Sequence, residues 1–311
     1  MEERIFHVLM SEVCAEMSVE IKKLSYDWIL QLSKDGKIRY ITGTRFDLNP
    51  EAAGNIACDK YATYEVLKSQ NIPVIEHKMV FNPNSRAALV GNEGVWTIII
   101  SEFLKYGRLV VKPNNGCEGQ GVFLCNNMKE VEIAIHQLFK IQNSISICPY
   151  YDIKTEYRTF YLDGQVLLVY GKTKPFVIGD GKSSVKELVE TLNLPEKKVV
   201  DENLRKLDLN YVPAKDEKVN ISWKHNLSGG AKPAVVKENE LNNKIVELAI
   251  NAGKAMNINF ATIDIIETTN NELYVLEINS GIGTSIFIES VENGNEIIKD
   301  IYRKAVEKLF Q

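Results

Sequence analysis

The pattern of apolar and polar positions is most regular late in the chain, at residues 258 to 285 (INFATIDIIETTNNELYVLEINSGIGTS). Two apolar runs flank a polar turn at Thr268 to Glu272, which predicts a β-hairpin. The first strand, FATIDII, carries one acid, Asp264; the second, LYVLEIN, carries Glu277 and Asn279. Side chains alternate faces along a strand, so Glu277 and Asn279 point the same way. A carboxylate among Ile, Val and Leu is costly to bury unless it is paired or metal-bound. Three oxygen ligands on rigid strands suit Mg²⁺, a hard cation that shares its shell with nucleotide phosphates. Acids on the solvated face of a plain hairpin fit these residues equally well.

Upstream the period changes. Val19, Ile21, Leu24, Trp28, Ile29 and Leu32 lie close to helical spacing, which predicts a helix over 19–32, followed by a short strand at IRYITG. DKYATYEVLKSQ predicts a helix with Asp59 as N-cap and Tyr61, Tyr64 and Leu67 on one face. Lys60 stands at its start, where a cation is mildly unfavourable against the helix dipole; it reads as a surface lysine or as a ligand contact. WTIIISEFLK (96–105) predicts an apolar helix and KEVEIAIHQLFKI (129–141) an amphipathic one. ISICPYY reads as a strand, and TEYRTFYLDGQVLLVYGKT as a hairpin turning at Asp163-Gly164. Residues 196–218 are charged and linker-like, with a short helix. Two further helices, ELNNKIVELAINAGKAMN and IIKDIYRKAVEKLF, flank the late hairpin.

Several segments between these elements invite an anion. RLVVKPNNGCEGQGVFLC is strand, glycine-rich loop, strand, and Lys112 ends its first strand. Gly116, Gly119 and Gly121 let backbone amides approach an anion closely. The order G-x-x-G-x-G with no helix behind it excludes both a dinucleotide-binding turn and a Walker loop. A flexible phosphate-covering loop or an ordinary glycine-rich hairpin remains. Arg158, Lys172 and Lys174 on the next hairpin would together serve a polyphosphate; for Arg158 the simpler reading is an ion pair with Glu156, two residues away on the same face. Gly181-Lys182-Ser183 resembles the end of a P-loop, but the first glycine that motif requires falls on Phe176. The segment is better read as a turn, with Ser183 or Ser184 capping the helix VKELVETL. In the polar loop HNLSGGAKP, Asn226, Ser228 and Lys232 face either a substrate or solvent.

Composition narrows the class. A length of 311 residues, 45% apolar and 25% charged, allows one large domain or two to three small ones of ordinary globular type. A net charge of −4 gives no electrostatic footprint for nucleic acid or an anionic membrane. The sequence has no long apolar run that would span a bilayer, and MEERIFHVLM lacks the cationic start and apolar core of a signal peptide. Five scattered cysteines without a C-x-x-C pair point to a reducing cytoplasm, with neither a disulfide framework nor zinc. The four histidines show no metal-type spacing.

Taken in order, Asp59-Lys60, VVKPNNGCEGQGV, TEYRTFYLDGQV, VIGDGKSSVKELVE, HNLSGG and the IDII…VLEIN pair resemble an ATP-grasp ligase. The likeness is in particular to the ATP-grasp portions of cyanophycin synthetase and bifunctional bacterial glutathione synthetase, and it covers roughly residues 57–311. It implies an α+β ATP-grasp fold, two α+β subdomains gripping ATP between antiparallel sheets, behind a small N-terminal α/β region. The corresponding divisions are 1–57, 58–148 with the glycine-rich loop, and 149–311 with the metal and substrate loops.

By this resemblance Lys60 and Lys112 are the two nucleotide lysines, and Gly116, Gly119 and Gly121 belong to the loop over the β- and γ-phosphates. Pro149, Tyr150 and Tyr151 fall where the hinge offers backbone groups to adenine. Arg158 and Lys172 meet the transferred phosphoryl or acyl phosphate, Asn226 belongs to the substrate loop, and Asp264, Glu277 and Asn279 hold Mg²⁺, with Mn²⁺ as an alternative ion. Pro149-Tyr150 stand where near relatives have acids, Lys154 where a glycine is usual, and Lys172 where arginine is usual.

The implied reaction joins a carboxylate to an amine through an acyl phosphate. Its implied substrates are an amino acid or small peptide, without nucleic acid or membrane partners, and related ligases are often homodimers. A kinase-type phosphotransferase of the same fold and a non-catalytic ATP-binding regulatory module are the alternatives.

Overall fold

The computed structural model describes residues 4–116, 119–192, 207–236 and 241–311. The chain forms two compact units, each assembled from separate stretches. Unit 1 comprises Met1–Ile75, Tyr157–Tyr170 and Val235–Gln311; unit 2 comprises Glu76–Glu156 and Gly171–Ala234.

Unit 1 begins with α1 (Ile5–Glu16) and a four-stranded antiparallel sheet in chain order: β1 (Glu20–Leu24), β2 (Ile29–Lys34), β3 (Lys37–Thr42) and β4 (Arg45–Phe46). The helix expected over 19–32 is therefore two strands. Ser25, Tyr26 and Asp27 take φ of 51°, 55° and 65°, a left-handed run that no right-handed helix contains. Leu30 and Leu32 are buried two residues apart, the strand period, and the apparent helical spacing arose from combining two short runs. IRYITG falls in β3 as expected. The opening helix α1 buries Phe6, Leu9, Met10, Val13 and Cys14 and was not anticipated. α2 (Glu51–Ala57) and α3 (Lys60–Ser69) follow, with Asp59 capping α3 by accepting from the Ala62 N–H at 2.8 Å.

Unit 2 takes up the chain with β5 (Lys78–Phe81), α4 (Pro83–Arg86), α5 (Val95–Tyr106), β6 (Leu109–Pro113), β7 (Phe123–Cys125), α6 (Met128–Phe139) and β8 (Ser144–Pro149). Its four strands are ordered β5-β8-β6-β7 and all pair antiparallel. Ile99 of α5 and Val131, Ile135 and Leu138 of α6 pack with Val111, Ile145 and Ile147 of this sheet. The long hairpin β9 (Ile153–Leu162) and β10 (Gln165–Lys172), whose Tyr157–Tyr170 part belongs to unit 1, turns at Asp163-Gly164, both at positive φ (44° and 86°). β11 (Phe176–Ile178), α7 (Val185–Glu190), β12 (Lys218–Asn220) and β13 (Pro233–Val235) follow. Ser184 and Glu187 form a capping box on α7, as the helix start predicted. The helix expected within 196–218 lies partly outside the described residues.

The chain ends in unit 1 with α8 (Asn243–Ala255), β14 (Phe260–Thr268), β15 (Leu273–Asn279), α9 (Ser285–Ser290) and α10 (Gly294–Phe310). A five-stranded sheet runs β13-β10-β9-β14-β15. Ile245, Leu248, Ala249 and Ala252 of α8 bury against Ile263, Ile265, Val275 and Ile278, so the late hairpin rests on a rigid apolar floor. Its start is tied to the N-terminal region of the same unit. Asn49 Oδ1 accepts from the N–H groups of Asn259 and Phe260 at 2.8 and 2.7 Å, and the Phe46 ring stands edge-on to Phe260 at 5.0 Å. Among the described residues no helix is long and apolar enough to cross a membrane.

Candidate active site

The late hairpin forms in the expected place, and its register sets the chemistry. Asp264 is directly opposite Glu277, and Thr262 is opposite Asn279. Opposed residues of an antiparallel pair share a face, and Thr262 and Asp264 are two apart, so Asp264, Glu277 and Asn279 all project from one face. A β-bulge lies just beyond Asp264, where the pairing skips from Glu277 to Val275. Such a bulge turns a strand locally and re-aims its side chains. Asp264 is fully buried, Glu277 and Asn279 are half-buried, and Asn279 Nδ2 donates to Glu277 Oε1 at 3.2 Å.

Arg158 completes this group. Its Nε and Nη2 each donate to one oxygen of Asp264, both at 2.7 Å, in a two-pronged fork. Burial works against the guanidinium charge, but the Asp264 carboxylate outweighs it, and Arg158 stays protonated well above the ordinary arginine range. The ion pair with Glu156 expected for Arg158 is not the one formed. Along the strand the two side chains lie two residues apart; across the sheet Asp264 offers both oxygens to a planar fork. Glu156 instead accepts from Lys172 Nζ at 2.6 Å in unit 2, and both side chains are nearly excluded from water. Counting outward from the Asp163-Gly164 turn brings Glu156 and Lys172 to the same end of the hairpin, a signal present in the sequence.

The donor set on this face fits a hard divalent cation, with two carboxylates opposed across a strand pair and an amide oxygen beside them. Among the described residues, no three His, Cys, Asp or Glu side chains gather in a metal-like group, so the third donor here would have to be the Asn279 amide. Lys60 lies half-buried at the first position of α3, in unit 1.

The remaining candidates belong to unit 2. Lys112 stands next to last in the fully buried strand β6, is itself 7% exposed, and has neither an acid nor an acceptor on its ammonium among the described residues. A cation so placed is poised for an anionic ligand. Gly119 holds φ of +69°, and a Cβ there would stand 2.6 Å from Asn226 Nδ2. Lys224 Nζ donates to the Gly119 carbonyl at 3.3 Å, so the glycine-rich loop and the HNLSGG loop are in contact within this unit. Gly121 also takes positive φ, and Gly116 packs on Pro113.

Pro149 ends β8, and the Tyr150 N–H donates to the Arg108 carbonyl at 3.2 Å. The Tyr150 ring lies under the Arg108 guanidinium at 4.0 Å and 6.0 Å from the Trp223 ring; Tyr151 is half-buried next to it. Asp180 closes the GDGKSS turn upon itself, accepting from the Lys182 and Ser183 N–H groups at 2.8 and 2.7 Å. Those bonds hold its carboxyl down to about 2 and occupy the amides a phosphate would need.

Two features escaped the sequence reading. His225 is buried, and burial with the charges of Lys174 and Lys172 lowers its pKa to about 4; its Nδ1 meets no hydrogen-bond partner among the described residues. No spacing rule marks a single buried histidine. Arg45 lies beside the loop that follows Asn279, brought there by the N-terminal sheet, which the helix expectation had concealed.

Comparison with known proteins bears on the fold. Residues 211–302 match the family model of the RimK-like ATP-grasp domain. The sequence is 26% identical over 265 residues to cyanophycin synthetase from Nostoc sp., a stretch that is 79% of this chain and 28% of that protein. It is 25% identical over 287 residues to tetrahydromethanopterin:alpha-L-glutamate ligase from Methanocaldococcus jannaschii, covering 86% of this chain and 83% of that one. The crystal structure of a bifunctional glutathione synthetase from Pasteurella multocida matches with a TM-score of 0.57 at 20% identity, over 96% of this chain and 44% of that chain. This chain thus spans little more than a quarter of the cyanophycin synthetase it matches. The α+β ATP-grasp fold and the ATP-grasp resemblance are borne out.

Proposed function

We propose that this ATP-grasp chain is an ATP-dependent carboxylate–amine ligase. It would act in the cytoplasm on an amino acid or small peptide, releasing ADP and phosphate. One observation carries the reading: Asp264 and Glu277 are opposed on one face with Asn279, and Arg158 is locked onto Asp264. A solvated hairpin face would not bury an acid completely. The printed activities of two relatives, a cyanophycin synthetase and a tetrahydromethanopterin:alpha-L-glutamate ligase, support the same class.

In this reading Asp264, Glu277 and Asn279 hold Mg²⁺, which when bound neutralises phosphate charge. Lys60, Lys112 and Lys172 bind phosphate oxygens, and Pro149 to Tyr151 receive the adenine. Arg158 orients the phosphoryl group while a substrate carboxylate oxygen attacks the γ-phosphorus and ADP leaves. The amine nitrogen then attacks the acyl carbon, the C–O bond to phosphate breaks, and an amide forms. Gly116, Gly119 and Gly121 allow their loop to cover the phosphates and keep water from the acyl phosphate. Asn226 holds the substrate. The family divisions 1–57, 58–148 and 149–311 are retained as functional assignments, and a homodimer as the assembly.

Phosphate and ADP release with pooled amino acids and dipeptides is the test. Release that needs a carboxylate and an amine together, with a product of the summed mass less water, supports the ligase. A phosphorylated product with no amine requirement would make the chain a kinase. ATP bound but never turned over across the panel would refute both.

A further inference from the structure

We propose that Arg45 receives the α-carboxylate of the amino acid that supplies the amine. The proposal rests on the ligase reading and names a substrate contact within it. Arg45 is exposed on β4, and its aliphatic stem lies along Gly281, two residues beyond Asn279. A Cβ at Gly281 would stand 3.2 Å from Thr44 Oγ1 and 3.5 Å from Arg45 Cγ, so glycine lets this arginine lie against the loop. The Ile282 N–H donates to the Thr44 carbonyl at 3.2 Å, and the Asn49 bonds to the start of β14 hold the same segment from its other end. Arg45 is thus fixed beside the strand that ends in Glu277 and Asn279.

Its charge is the second observation. In the same unit Arg39 donates to the Leu309 carbonyl, Arg158 to Asp264 and Arg303 to Glu16. Among the described residues Arg45 reaches only the Cys58 sulfur, at 3.2 Å, a weak acceptor that leaves its fork available. Cys58 directly precedes Asp59 and Lys60, so the guanidinium stands between the Lys60 segment and the loop after the acids. Arginine matches a carboxylate with two parallel hydrogen bonds, a geometry lysine cannot reproduce. The amine-bearing substrate is the reactant that keeps a free carboxylate throughout, and this site would hold that group while its nitrogen faces the acyl carbon.

Phenylglyoxal labelling of the full chain, mapped by mass spectrometry, tests this with Mg²⁺ and a non-hydrolysable ATP analogue present. Labelling of Arg45 should slow by about ten-fold or more with a pool of the common L-amino acids and stay unchanged with their α-amides. Exposed Arg86 in the other unit, as control, should be indifferent to both. Equal labelling of Arg45 with and without the acids, or equal protection by the amides, would overturn the proposal. Protection by the acids without phosphate release would sink the ligase reading and leave the carboxylate site standing. Phosphate release with Arg45 unprotected would do the reverse. With turnover in hand, R45Q should raise KM for the amine substrate by about ten-fold with KM for ATP unchanged, and R45K should recover part of that loss. An unchanged amine KM in R45Q would refute the assignment.

Discussion

Replacing Arg158 by methionine removes the fork from Asp264 and leaves a fully buried carboxylate facing Glu277 across the strand pair. At about 4 Å between charge centres and an effective dielectric near 20, the lost attraction is about 4 kcal/mol. Breaking a buried pair by removing one partner costs about 3–5 kcal/mol. Arg158 keeps 18% of its side chain exposed, which favours the low end, about 3 kcal/mol. Chemical unfolding of a chain with two compact units need not be two-state, so a local probe is preferable. Hydrogen exchange of peptides covering β14 and β15 supplies one, since both strands and Arg158 belong to unit 1. A loss of about 3 kcal/mol accelerates exchange limited by unfolding of that unit by about 150-fold. If the same face binds Mg²⁺, the ion should restore protection in the variant. At about ten times its dissociation constant it contributes about 1.4 kcal/mol, a factor of about ten. Wild type should gain less, because the ion must first displace Arg158 from Asp264. Acceleration below about five-fold would refute the energetic role of the pair. Equal or absent Mg²⁺ protection in the two proteins would refute the metal assignment.

Other perturbations separate the remaining roles. Glu277→Gln should abolish turnover and leave the local stability of unit 1, read by hydrogen exchange of β14 and β15, within about 0.5 kcal/mol of wild type, because Glu277 is half-buried and its hydrogen bond from Asn279 is long at 3.2 Å; an active variant would remove it from the metal set. Lys112→Ala should weaken ATP binding by about ten-fold or more in calorimetry, through loss of one charge-assisted phosphate contact, and unchanged affinity would refute the phosphate assignment. His225, lowered to about 4, is neutral when folded, while the unfolded chain binds a proton below about 6.5. Stability should therefore rise with pH between those values, and the fold should lose about 2 kcal/mol from this residue between pH 7 and pH 5. His225→Asn should flatten that part of the urea-midpoint profile, and an unaltered slope would show that other groups carry it.

What the sequence disclosed and what it hid have separate physical causes. The hairpin at 258–285 was legible because one signal served two ends: alternation put Glu277 and Asn279 on one face, and burial made any acid there conspicuous. Register was not legible, since the bulge beyond Asp264 is a long-range adjustment of strand pairing that no local propensity encodes. The partners of the charges were hidden for the same reason. Glu156 and Arg158 look like a pair along the strand, yet each finds its counter-ion on a neighbouring strand, Lys172 and Asp264. The N-terminal sheet was lost to a period error, because β1 and β2 are short enough for their inward positions to imitate a helical face once the left-handed turn at Ser25 to Asp27 is overlooked. That error concealed a functional candidate. As a helix, residues 19–32 predict no meander at all, and Arg45 would fall in an unplaced connection. As part of a sheet locked to β14 through Asn49 and Phe46, the same arginine is delivered to the loop after the acids. Acids and cations of the family pattern lie on elements whose local signals are strong, whereas the arginine proposed to hold the amine substrate's carboxylate depends on the weakly patterned segment. The proposed carboxylate contact is thus encoded where the sequence of this chain is hardest to read.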